Sequence, residues 1–128
     1  MTGQKILIVE DDKQSLRLIS LVLSREGYVV VECADGHEAL SLTLDEQPDL
    51  ILCDLMMPEI DGIEVTKRIS SEPRTSGIPI IMFSAKSLIE DKVAGFEAGV
   101  DDYLTKPVHP IELTTRIKAF LEQHNTSG

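Results

Sequence analysis

The sequence has little positive charge and few aromatic side chains. Lysine and arginine number 12 against 22 aspartates and glutamates, which gives a formal net charge of −10, and aromatic residues make up only 4%. Because contacts to nucleic-acid phosphates depend on lysine and arginine, this balance argues against direct, non-specific nucleic-acid binding. The excess of acids instead favours solubility and attraction to cations.

Cysteine and long apolar runs are also scarce. The two cysteines, Cys33 and Cys53, lie inside apolar segments, so we expect two small buried hydrophobic residues rather than a disulfide or a zinc site. No apolar run approaches the roughly 18 residues that suggest a membrane-spanning helix, and no basic and then apolar leader opens the chain. We therefore expect a cytoplasmic protein without membrane contact.

The length of the chain and its fractions of hydrophobic and charged residues are typical of one globular domain. The chain has 128 residues, of which 42% are hydrophobic and 27% charged. A chain of this length can bury a core without metal or disulfide bridges. We expect a single domain at 4–123, followed by a frayed tail at 124–128.

Short apolar segments alternate with helical patterns along the whole chain. The predicted strands are Lys5–Val9, Tyr28–Cys33, Leu50–Cys53, Ile78–Phe83 and Asp101–Thr105. The predicted helices begin after Asp12 and end at Gly27, and then cover Ala39–Glu46, Gly62–Ser71, Ser87–Ala98 and Ile111–Gln123. This alternation predicts an α/β fold with a parallel sheet. The pattern alone leaves the order of the strands open.

The stretch Asp49–Asp61 (DLILCDLMMPEID) is the centre of the pattern. Its apolar strand runs directly into Asp54, which puts that carboxylate at the carboxyl edge of the predicted sheet. In open parallel sheets, ligands bind at this edge. Asp54 is therefore the first candidate for a functional residue.

Four of the five predicted strands end in polar side chains. These are Asp11 and Asp12 after the first strand, Asp54 after the third, Ser84 after the fourth and Lys106 after the fifth. Each alone is commonly a helix cap or a loop residue, but together they favour a site, because the ends of parallel strands meet at one edge. Three carboxylates there repel one another and require a cation, and such oxygen ligands suit Mg²⁺. A carboxylate in this setting could attack phosphorus and form an acyl phosphate, with the metal and the lysine neutralising charge.

Four motifs make the sequence resemble the response-regulator receiver domain, the phosphorylation module of two-component signalling (the CheY-like family). They are ILIVEDD, DLILCDLMMPEIDG, IPIIMFSA and GVDDYLTKP. The resemblance extends from Ile6 to about Leu121. It implies a five-stranded parallel sheet in the order 2-1-3-4-5 with helices on both faces, a flavodoxin-like, doubly wound fold.

The resemblance also implies roles for the residues at the strand ends. Asp54 would be the phosphoacceptor, and it would bind Mg²⁺ together with Asp12. Asp11 would bind the metal through water, and Met56 would provide its backbone carbonyl. Lys106 would contact the phosphoryl group, and its bond to the following proline would be cis.

A second set of residues would report the phosphorylation. Ser84 would hydrogen-bond a phosphoryl oxygen and draw its loop inward, and Tyr103 would then turn from exposed to buried. The backbone amides of Met56 and Ala85 would complete the cradle around the phosphoryl oxygens. Ser84 stands where the family more commonly has threonine, so the hydroxyl is kept and the stiffening methyl group is lost.

The resemblance implies a sensor histidine kinase or a phosphotransfer protein as partner. It implies an output on the face formed by the fourth helix, the fifth strand and the fifth helix. Five residues there stand where dimerising receivers place their charge pairs: Lys92, Asp101, Asp102, Glu112 and Arg116. A solvated surface is the alternative interpretation, since exposed ion pairs contribute only about 0–1 kcal/mol each. A homodimer on activation therefore stays an open hypothesis.

Two functions other than a phosphorylation-dependent signalling switch are considered. One is an Mg²⁺-dependent phosphohydrolase with an aspartyl nucleophile. Haloacid-dehalogenase-type enzymes carry a second aspartate two positions after the nucleophile, and here that position is Met56. The other is a receiver-like interaction module that is never phosphorylated. We expect the switch, and no enzyme activity beyond its own phosphorylation and slow dephosphorylation.

Overall fold

The computed structural model describes residues 3–86 and 88–126, the last three of them by their backbone alone. The strands are β1 (Lys5–Val9), β2 (Val29–Cys33), β3 (Leu50–Asp54), β4 (Ile80–Ser84) and β5 (Asp102–Thr105). The helices are α1 (Lys13–Arg25), α2 (Ala39–Glu46), α3 (Gly62–Ser71), α4 (Ile89–Ala98) and α5 (Pro110–Thr126), and a short 3₁₀ turn at Gly36–Glu38 precedes α2. The alternation predicted from the sequence is confirmed.

All five strands pair in parallel, in the order β2-β1-β3-β4-β5. This confirms the strand order that the resemblance implies. The three central strands are buried almost completely, because helices cover both faces of the sheet. Continuous apolar sequences such as LILC suit strands in that position.

The core is divided by the sheet into two clusters of apolar side chains. One cluster joins α1 and α5 to one face, with Leu23 and Ile117 among its fully buried members. The other joins α2 and α3 to the opposite face, with Ala39 and Ile69 among its fully buried members. Alternate residues of each central strand point into one cluster or the other, as the period of two in a strand requires.

Side chains and a glycine mark the ends of the first and third helices. Asp12 caps α1, and its carboxylate accepts from the backbone N–H of Ser15 at 3.0 Å. Asp61 caps α3 in the same way. Gly27 has φ +92° just after α1, so the predicted stop at this residue is confirmed.

Some boundaries differ from the predicted ones. Strand β4 begins at Ile80, where the backbone N–H bonds the Asp101 carboxylate at 2.8 Å, and it continues to Ser84. Helix α5 extends to Thr126. The predicted frayed tail overlaps this end, and residues 127 and 128 lie outside those that the structure describes. Among the described residues, no helix combines the length and hydropathy needed to cross a membrane.

Candidate functional site

The register of the sheet sets which residues meet at its carboxyl edge. Val9 of β1 lies opposite Cys53 of β3, so the residues that follow them, Glu10 and Asp54, also lie opposite each other. Ser84 at the end of β4 lies opposite Thr105 of β5. Side chains from four strands therefore open onto one small region, as the parallel arrangement predicts.

Asp54 is the last residue of β3 and is only 4% exposed. One of its carboxylate oxygens, Oδ1, accepts from the backbone N–H of Met56 at 3.1 Å. The other, Oδ2, accepts from Nζ of Lys106 at 3.3 Å. A buried carboxylate held between a loop amide and an ammonium group has a fixed direction, which suits a group that must attack or bind in one orientation.

Lys106 follows β5 and reaches back across the end of β4. Its Nζ lies 5.1 Å from the centre of the Phe83 ring and 3.7 Å from Oε1 of Glu10. The bond between Lys106 and Pro107 is cis, as the resemblance implies. One ammonium group therefore faces two carboxylates.

Glu10 is fully buried directly after β1, a position that sequence analysis left unassigned. Neither of its carboxylate oxygens has a hydrogen-bond partner among the described residues. Burial, together with the neighbouring Asp54, raises the pKa of Glu10 from 4.5 to about 8. A buried carboxylate whose oxygens accept no hydrogen bond is costly unless cations compensate its charge.

Carboxylate oxygens of Glu10, Asp11 and Asp54 lie within 4.8 Å of one another. All three acids offer hard oxygen ligands. The Glu10 oxygens accept no hydrogen bond among the described residues, and a cation would satisfy them. The donor set therefore fits a divalent ion such as Mg²⁺, which binds through one or two carboxylates and keeps part of its water shell.

The structure places Asp12, predicted as a direct Mg²⁺ ligand, at the N-terminal cap of α1. Its exposed carboxylate is used to cap α1, and the hydrogen bonds with Ser15 lower the pKa of Asp12. The three acids whose oxygens converge are instead Glu10, Asp11 and Asp54. Because β1 ends at Val9, Glu10 is the acid that lies opposite Asp54. Asp12, two residues later, already belongs to the start of α1. The length of the apolar run KILIV was the signal that could have identified Glu10.

Ser84 and Tyr103 are linked through the loop between β4 and α4. The buried Oγ of Ser84 accepts from the backbone N–H of Lys86 at 3.0 Å. The hydroxyl of Tyr103 donates to the carbonyl of the same Lys86 at 2.9 Å. The Tyr103 side chain is already buried in this structure, whereas the resemblance implies that it becomes buried on phosphorylation. The loop is thus held from both sides by the two residues predicted to report phosphorylation.

Gly62 is a further residue of the site that sequence analysis treated only as a helix start. Its N–H donates to the carbonyl of Leu55 at 2.8 Å. A Cβ on Gly62 would lie 2.4 Å from the carbonyl oxygen of Asp54 and 2.8 Å from Cα of Leu55. Only glycine lets the first turn of α3 approach the backbone of Asp54 this closely.

A cleft of about 420 Å³ opens beside Asp54. It is lined by Leu55, Met56, Met57, Pro58, Asp61 and Lys86. Met56 and Ala85, the two residues whose amides are predicted to cradle a phosphoryl group, both have exposed side chains. Their backbone roles toward a ligand stay predictions.

Four of the five charged residues of the predicted dimer face make side-chain contacts within the chain. Arg116 forms a close ion pair with Asp102 and lies 4.0 Å from Glu112. Asp101 bonds the backbone of β4, as described above. Lys92 lies partly buried on α4. The dimer itself stays a prediction.

Comparisons with known proteins identify the family of this chain. The family model for the response regulator receiver domain matches residues 6–118. The DNA-binding dual master transcriptional regulator RpaA of Synechocystis is 42% identical over 119 residues, which cover 93% of this chain and 49% of that protein. The chain therefore spans about half the length of this relative.

Solved structures give the same result. A CheY-like response regulator receiver domain protein from Methanospirillum hungatei has a TM-score of 0.92 and 31% identity, covering 99% of this chain and 100% of that one. The receiver domain of the Pseudomonas aeruginosa sensor histidine kinase PA1611, which holds a magnesium ion in its active-site cleft, has a TM-score of 0.87 and 33% identity. That match covers 94% of this chain and 99% of the other. The chain belongs to the response-regulator receiver domain family, the receiving module of two-component signalling.

Proposed function

We propose that this chain is a switch that accepts a phosphoryl group on Asp54. The observation that carries the proposal is that the buried Asp54 carboxylate contacts Lys106 and lies within 4.8 Å of the carboxylate oxygens of two further acids. This places one nucleophilic oxygen, one ammonium and a set of metal ligands within a few ångströms. The magnesium ion in the PA1611 receiver domain supports the same use of the acids here.

Glu10, Asp11 and Asp54 would hold Mg²⁺, together with the backbone carbonyl of Met56. Mg²⁺ would supply positive charge that offsets the carboxylates and the oxygens of the transferring phosphoryl group. In the transfer, a carboxylate oxygen of Asp54 forms a bond to phosphorus while the bond from phosphorus to the donor breaks. Lys106 stays within reach of the phosphoryl oxygens, and the amides of Met56 and Ala85 donate to them.

The phosphoryl group would be read out through Ser84. Its Oγ now accepts from the N–H of Lys86, and turning to a phosphoryl oxygen exchanges that bond for a charge-assisted one. The loop would move with it, and so would the contact of Tyr103 with the Lys86 carbonyl. In this way a change at Asp54 reaches the surface formed by α4, β5 and α5.

A sensor histidine kinase or a phosphotransfer protein would donate the phosphoryl group, and the bound group would be lost by slow hydrolysis. RpaA is a DNA-binding transcriptional regulator about twice as long as this chain. By that similarity the receiver would control a transcriptional output in the cytoplasm. The net charge of −10 makes direct DNA contact by this domain unfavourable.

Activation would also favour dimerisation through the face of α4, β5 and α5. Exposed apolar side chains on α4, Val93 and Phe96, support this use, because they share that helix with Lys92, one of the charged residues predicted for the interface. Release of Arg116 from Asp102 within one chain would free both for pairing across two chains. Analytical ultracentrifugation with beryllofluoride and Mg²⁺ tests the dimer, and a monomer under activating conditions contradicts it.

Incubation with acetyl phosphate and Mg²⁺, followed by intact mass measurement, tests the main proposal. We expect an adduct of about 80 Da, the mass of one phosphoryl group, on the wild-type chain. Asp54→Ala should give none. Fast release of phosphate over many turnovers without a stable adduct would instead identify a phosphohydrolase, and a chain that neither gains mass nor releases phosphate would be an interaction module.

A further inference from the structure

The methionines in the described part of the chain differ sharply in exposure. Met56 is 51% exposed, Met57 is partly buried against the core, and Met82 in β4 is fully buried. Oxidation of a thioether requires access by the oxidant. Among the methionines that the structure describes, Met56 is therefore the one that an oxidant in solution reaches first.

Met56 is also directly connected to the phosphoacceptor. Its backbone N–H donates to Oδ1 of Asp54 at 3.1 Å. Met56 lines the cleft of about 420 Å³ described above, and Lys86 lines the same cleft. A change in the chemistry of this one side chain therefore takes place in a cleft lined by the residues that directly follow Asp54 in the sequence.

We infer that Met56 is an oxidation site whose sulfoxide shortens the life of the phosphoryl group on Asp54. The oxidant is a hydroperoxide, with hydrogen peroxide as the simplest case. The oxidation itself depends only on exposure. Its effect on lifetime rests on the proposed function, because it requires Asp54 to be phosphorylated.

The oxidation is a two-electron transfer of one oxygen atom. A lone pair on the sulfur of Met56 attacks the near oxygen of the peroxide, forming the sulfur–oxygen bond as the oxygen–oxygen bond breaks. The proton on the transferred oxygen moves to the departing hydroxide, which leaves as water. Sulfur is oxidised, peroxide is reduced, and no further co-reactant is required.

The sulfoxide changes the wall of the cleft from apolar to polar. A thioether is a weak acceptor, whereas a sulfoxide oxygen is a strong one that holds water by hydrogen bonding. Lys86 borders the same cleft, and its ammonium group is, after water, a second donor that the sulfoxide oxygen can attract away from its present position. Both effects bring water closer to the acyl phosphate and so speed its hydrolysis.

The first experiment locates the oxidation. The folded wild-type chain is treated with dilute hydrogen peroxide, digested and analysed by mass spectrometry at several times. We expect the gain of about 16 Da, one oxygen atom, to appear at Met56 at least ~10-fold faster than at the buried Met82. Equal rates at the two positions would overturn the inference.

The second experiment measures lifetime after phosphorylation with acetyl phosphate and Mg²⁺. Peroxide treatment should shorten the half-life of the ~80 Da adduct by at least ~3-fold, and methionine sulfoxide reductase should restore it. Met57→Leu should keep this response. In Met56→Leu, whatever its own half-life, peroxide should cause no change.

The outcomes separate this inference from the proposed function. If the untreated chain never gains the adduct, the proposed function fails and the lifetime effect with it. If the adduct forms but its half-life is the same before and after oxidation of Met56, the proposed function stands and the inference fails. A response that persists in Met56→Leu would also overturn it.

Discussion

Nζ of Lys106 lies 3.3 Å from Oδ2 of Asp54, although 52 positions of sequence separate the two residues. The contact spans the end of β4, because β3 and β5 are not neighbours in the sheet. The ammonium group is held over the Phe83 ring of that intervening strand.

Replacing Lys106 with methionine should slow phosphorylation of Asp54 by acetyl phosphate by at least ~10-fold. The substitution keeps the length of the side chain and removes the charge that would offset the transferring oxygens. The rate is followed by intact mass. Lys118→Met is the matched control, because Lys118 is an exposed lysine of α5 whose ammonium lies near Glu26. It should leave the rate within ~2-fold of wild type. An unchanged rate in Lys106→Met would contradict a role for the ammonium in transfer.

Replacing Glu10 with glutamine should weaken Mg²⁺ binding by at least ~10-fold, because it removes a charged ligand from the group of three acids. Asp12→Asn should change the affinity by less than ~3-fold, since asparagine caps a helix about as well as aspartate. Titration calorimetry on the folded proteins measures both. The opposite ranking of the two variants would show that Asp12, and not Glu10, binds the ion.

In the absence of divalent ions, Glu10 should make the chain less stable as the pH rises. The pKa of Glu10 is about 8 in the folded chain and 4.5 normally, so between these values the folded state binds more protons than the unfolded state. The free energy of unfolding therefore falls by about 1 kcal/mol per pH unit over that window from this group alone. Glu10→Gln should lack this slope, so urea unfolding curves of the two proteins with chelator should diverge from pH 5 to pH 8. Parallel curves would show that Glu10 is ionised at little cost.

Gly62→Ala should destabilise the chain by about 1–3 kcal/mol, the usual cost of overpacking, and should also slow phosphorylation. The added methyl group would displace the backbone of Asp54 and Leu55. Gly77→Ala is the control, because a Cβ at that position meets nothing within 4 Å. Melting temperature and phosphorylation rate are measured together, at a temperature where both variants are folded. A Gly62→Ala protein with wild-type rate and stability would show that the loop adapts.

Met56→Asn and Lys86→Ala should each shorten the half-life of phosphorylated Asp54 by about 3-fold or more. Both side chains border the cleft beside Asp54. An amide at position 56 would hold water where a thioether does not, and loss of the Lys86 side chain would widen the entrance. Half-lives come from intact mass after removal of acetyl phosphate. If neither variant decays faster than wild type, these two residues do not limit the access of water.

The elements of this fold are largely predictable from local sequence, and the site is less so. Apolar runs located each strand to within two residues, and Asp12, Gly27 and Asp61 lie at helix ends where their chemistry predicts them. The pattern could not give the order of strands, which depends on crossovers between distant segments. For the same reason the sequence pointed to Asp11 and Asp12 and left out Glu10, the residue that lies opposite Asp54, since the register of β1 on β3 is a tertiary property. The close packing of Gly62 on Asp54 leaves no pattern in the sequence at all.

Lys106 comes from the last strand of the sheet, and this has a consequence for chains that are unfinished or cut short. A chain ending before β5 would present its carboxylates without the ammonium that faces them, and with α5 missing from one side of the core. We expect such a fragment to accept a phosphoryl group on Asp54 more slowly than the complete domain does. Under the proposed function, efficient phosphorylation would therefore require that the whole domain has been made and folded, and the signal would come mainly from complete molecules.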